Sequence, residues 1–181
     1  MRGSAPPLDV RYIKMLYSII KSFSPSEGEA WSSYCEWRGI QFKSFDSIDG
    51  ILRPSLIDTP SDEDWNYIVN ESYKLHLMTD IEYAKKKHKE IGQGCIIGLK
   101  FEDHQIKDEG LLGFDIIDGY CDVSLLTNWG NDIEIVNQNL DANALVSNYE
   151  VACEIHGYLK ENYSDDNHVE DCEIISVYKV N

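Results

Sequence analysis

The chain has 181 residues, 43% of them hydrophobic, including four tryptophans, eleven tyrosines and five phenylalanines. That length and composition argue for a single globular domain over residues 1–181 and against intrinsic disorder. Thirty-two acidic residues against 16 basic ones leave a formal net charge of -16, which argues against direct contact with nucleic acid or with an anionic membrane surface.

The charge is unevenly spread. Residues 1–90 hold 12 Lys/Arg and 14 Asp/Glu, whereas residues 91–181 hold 4 and 18, so the halves carry -2 and -14. A half with that excess repels itself, and it is read either as a device for solubility or as a surface built to meet a cation-rich partner. Five cysteines, Cys35, Cys95, Cys121, Cys153 and Cys172, are an odd number in a chain large enough not to need disulfide staples. Reduced thiols and a cytosolic, cytoplasmic location are expected, and no run of apolar residues is long enough to span a membrane.

Residues 1–7 end in Pro6-Pro7 and are set aside as a flexible N-terminus or cloning remnant. From Val10 to Phe23 the residues Val10, Ile13, Leu16, Tyr17 and Ile20 fall at helical spacing and predict an amphipathic helix. The aromatic-rich stretch from Ala30 to Ile57, broken by Asp49-Gly50 and Pro54, reads as strands joined by turns. A helix start follows at Ser61, with Asp62, Glu63 and Asp64 in its first turn and Trp65, Ile68, Val69 and Tyr73 as its buried stripe. Thr79-Asp80-Ile81-Glu82 has capping-box spacing and opens a helix that runs through the lysine cluster 85–89 to Gly92.

Strand texture begins at Gly94, with Cys95 to Phe101 as the first strand. Leu111 to Ile117, Asp118-Gly119 and Tyr120 to Leu126 read as a hairpin, because Asp-Gly tolerates the positive φ angles of a type I′ turn. A two-residue loop would set Ile117 opposite Tyr120, Ile116 opposite Cys121, Asp115 opposite Asp122 and Phe114 opposite Val123. One face, with Leu112, Phe114, Ile116, Cys121, Val123 and Leu125, would then face the core. The other, with Asp115, Ile117, Tyr120 and Asp122, would be exposed. Between Ile133 and Ala144 the pattern allows a short strand and an Asn-rich loop. Ser147-Asn148-Tyr149-Glu150 opens a helix to about Tyr163 with Val151, Ala152, Ile155, Leu159 and Tyr163 as its apolar side, and Cys172 to Val180 forms a final strand. The fold class expected is α+β, mainly an antiparallel sheet with helices packed on one face and a β-β-β-α-β order in the C-terminal half.

Two carboxylates placed opposite one another on an exposed face, Asp115 and Asp122, add nothing to the fold. They suggest contact with a partner's Lys or Arg, with Ile117 and Tyr120 as anchors and Asp118 and Trp129 alongside. The competing chemistry is a divalent cation held by Asp115, Asp118 and Asp122, as in a metal-dependent hydrolase. Cys153, His156, His168 and Cys172 have ligand-like spacing, but their order is not that of a common zinc finger and the helix already accounts for Cys153. Phosphate-loop, dinucleotide, zincin, nucleophile-elbow and C-x-x-C motifs are missing from the sequence, so no cofactor is implied. The reading that follows is an acidic protein-binding inhibitor, in its concrete form an immunity protein or antitoxin that neutralises a basic, nuclease-type toxin. The alternatives are the hydrolase and a non-catalytic subunit whose acidity serves solubility.

Overall fold

The computed structural model describes residues 15–20, 55–57, 59–69, 76–101, 109–119, 123–129, 133–141 and 143–180. Their centre is a four-stranded antiparallel sheet. The strands are β1 (Leu16–Ile20), β2 (Cys95–Lys100), β3 (Leu111–Ile117) and β4 (Glu173–Val180). Their spatial order is β1-β2-β4-β3, and every neighbouring pair runs antiparallel. The helices are α1 (Ile81–Ile91), α2 (Glu134–Asn137), α3 (Tyr149–Asn162) and α4 (Asn167–Glu170). The chain is therefore an α+β protein.

Register places Tyr17, Ile19, Ile96, Tyr178, Ser176, Phe114 and Ile116 on one face of the sheet. The two longer helices cover that face. Tyr83 and Ala84 of α1 pack with Ile19 and Ile96, while Ala152, Ile155 and Leu159 of α3 pack with Phe114 and Ile116. The opposite face carries Leu16, Ile20, Ile97, Leu99, Val177, Ile175 and Ile117, and it is equally buried, with Leu77 and Leu145 in the same cluster.

Burial on both faces explains where the sequence expectations fail. Leu16, Ile19 and Ile20 are all inaccessible, so the apolar run around them shows no alternation and imitates a helix; it forms β1 instead. The rest of the helix expected over residues 10–23 lies outside the described residues, as do residues 30–54 of the strand-rich stretch. The helix expected from Ser61 shrinks to a single 3-10 turn, Asp64–Asn66, because the backbone then pairs Val69 N–H with the Leu77 carbonyl at 2.8 Å. Trp65 is 45% exposed rather than part of a buried stripe.

Both long helices have the boundaries their caps dictate. Asp80 is the N-cap of α1, accepting from the Tyr83 amide at 2.8 Å, and Gly92 closes it in the left-handed conformation with φ 73°. Asn148 caps α3 and accepts from the Glu150 and Val151 amides. The short strand allowed after Ile133 is instead the single-turn helix α2.

The outer strands of the sheet are both paired on their free sides. Tyr17 exchanges two 2.8 Å backbone hydrogen bonds with Met78, and the Leu56 amide donates to the Ile19 carbonyl. On β3, Phe114 exchanges two hydrogen bonds with Val146. No helix among the described residues is long and apolar enough to cross a membrane.

Candidate functional site

The turn after β3 differs from the hairpin expected. Ile117 bridges to Ser124 rather than facing Tyr120, and the Asp118 amide donates to the Val123 carbonyl at 3.1 Å. The return is thus longer than two residues, and β3 finds its ladder partner in β4. No third C-terminal strand forms over Leu125–Leu126, where the backbone winds into a π-helical turn, Leu125–Trp129.

Asp115, Ile117 and Asp118 are buried, with 0, 1 and 2% of their surface exposed. The exposed partner-binding face expected for them is corrected by this observation: Asp115 and Ile117 lie on the second buried face of the sheet, beside Ile175 and Val177, and Asp118 follows the strand at the turn. Tyr120 and Asp122 lie outside the described residues, so the predicted Asp115/Asp122 pairing does too. Trp129 ends the π-helical turn, and its side chain is outside the description.

The two aspartates instead organise the turn. Asp115 Oδ1 accepts from the Ile116 amide and from the Ser124 hydroxyl, each at 2.7 Å. Ser124 Oγ in turn accepts from the amides of Leu126 and Thr127, each at 3.2 Å, which starts the π-helical turn. Asp118 Oδ1 accepts from the Val123 amide at 3.1 Å, and its Oδ2 lies 3.1 Å from His168 Nδ1 on α4. Gly119 passes so close to Asp171 that an added Cβ would come within 2.8 Å of the Asp171 Cβ. This corner opens on a cleft of about 440 Å³ lined by Gly119, Lys160, Glu170, Asp171, Cys172 and Glu173.

The two histidines of the Cys/His pairs make structural contacts. His156 Nε2 lies 3.0 Å from the Cys172 carbonyl, His168 engages Asp118, and Cys153 is exposed on α3. Burial pushes the Cys172 thiol above its ordinary pKa, which makes it a poor nucleophile or ligand. Among the described residues no group of three His, Cys, Asp or Glu side chains is gathered as a metal ion would require.

A second cluster, around α1, holds the best-paired charges. Asp64 is nearly inaccessible and accepts from Ser61 Oγ at 2.6 Å and Tyr83 Oη at 2.8 Å, with Lys87 Nζ also at 2.8 Å. Burial alone would raise its pKa, but the Lys87 ammonium, the Ser61 hydroxyl and amide and the Tyr83 hydroxyl outweigh it and hold the carboxyl far below its ordinary value. Lys87 is pushed up by the same contact, and burial followed by the Asp64 hydrogen bond raises the Tyr83 hydroxyl. Lys86 meets Glu63 at 2.8 Å and Lys85 meets Glu82 at 3.7 Å. The lysine cluster therefore belongs to the packing of residues 61–67 against α1.

The acidic half behaves differently. On α3 and the segment after it, Glu150, Glu154, Glu161, Asp165, Glu170, Asp171 and Glu173 are exposed, and among the described residues none of these seven takes part in a salt bridge. Lys160 is the basic residue between Tyr149 and Glu173, and its ammonium is engaged by the Glu170 carbonyl. Two of the three exposed large hydrophobics among the described residues, Tyr158 at 38% and Tyr163 at 36%, lie in the same region. Sequence reasoning missed this surface, although the spacing Glu150, Glu154, Tyr158, Glu161 on a capped helix was a usable signal.

No family model, no curated protein and no solved structure matches the chain.

Proposed function

We propose that the chain is an acidic inhibitor that binds a basic protein, in its concrete form a cytoplasmic immunity protein or antitoxin directed against a nuclease-type toxin. The observation that carries the reading is the unequal pairing of charge among the described residues: Glu63, Asp64, Glu82 and Glu90 around α1 have lysine partners, whereas the seven exposed carboxylates from α3 to β4 have none. Carboxylates kept at that density repel one another, and a cationic protein surface would compensate them. A nuclease presents such a surface because it must attract phosphate backbones. Opposite charge would also speed encounter, which suits an inhibitor that has to intercept its target.

The test is affinity capture of the tagged chain from its source lysate at low and then high salt, identifying the retained species by mass and measuring retained metal. A stoichiometric basic protein released by salt, whose nuclease activity is suppressed by the purified chain, is the expected result. A retained divalent ion with no basic partner would overturn the reading in favour of a metal-dependent hydrolase.

A further inference from the structure

We draw no further inference here: the strongest candidate, the Asp118–His168 pair at the corner that opens on the cleft lined by Gly119, Lys160, Asp171 and Glu173, carries none because its contact is accounted for as the tie between α4 and the turn after β3, and nothing in the structure indicates what that cleft would hold.

Discussion

Burying a carboxylate among isoleucines costs several kcal/mol unless donors surround it, and the donors around Asp115 define its role. Its Oδ1 takes the amide of Ile116 and the hydroxyl of Ser124. Asp115→Ala is expected to lower folding stability by roughly 1.5–3 kcal/mol, and Ser124→Ala by about 1 kcal/mol, as midpoint shifts in urea. The affinity of the folded fraction for a basic partner should stay the same. Asp64 gives a pH signature. Its carboxyl is depressed in the folded protein, so its contribution is complete above the unfolded value of about 4 and disappears as the pH falls below that toward the folded value. Asp64→Asn is expected to cost on the order of 2 kcal/mol at neutral pH. The gap between variant and parent should narrow steadily through acid titration of the urea midpoint; a constant gap would show that the charge of Asp64 contributes nothing.

Among the elements, those with local punctuation were legible in the sequence. Gly92 marks the end of α1, and the capping-box spacings mark the starts of α1 and α3 to within one residue, pointing to Thr79 and Ser147 where Asp80 and Asn148 are the caps, because a cap is a short-range hydrogen bond written in a few residues. Strands β2, β3 and β4 were legible from their apolar runs and flanking turns. Long-range pairing was not: nothing near Leu111–Ile117 announces that its partner is Glu173–Val180, and the nearby Asp118-Gly119 advertised a competing hairpin. Nor does alternation identify an exposed face when a sheet is covered on both sides, which is why the sequence pattern offers Asp115 and Ile117 to a partner and the structure does not. The acidic bias of the C-terminal half was plain from composition, but its concentration on the outer side of α3 depended on knowing which residues of the helix are buried. Since Asn148 holds the first turn of that helix through two amides, Asn148→Ala should cost about 1 kcal/mol of stability, measured by thermal unfolding.

For the whole molecule, the proposed function would set stability against recognition in the acidic residues on the outer side of α3. Glu150 and Glu154 are like charges four residues apart, an arrangement that destabilises a helix by about 0.2–0.5 kcal/mol. Glu154→Lys should therefore stabilise the protein by about 0.5 kcal/mol at low salt, seen as a higher thermal midpoint, while weakening capture of a basic partner. Added salt should shrink the stability gain by screening it. The pairing of the outer strands has a further consequence. With Tyr17 engaged by Met78, Ile19 by Leu56, Phe114 by Val146 and the Ile116 amide by its neighbour's carboxylate, the sheet offers little backbone for a foreign strand to extend. Under the proposed binding function, recognition would be left to side chains, and side chains can be exchanged one at a time. Such a scaffold would change its target by successive surface substitutions without disturbing the hydrogen-bonded framework beneath, and its specificity would be free to diverge faster than its fold.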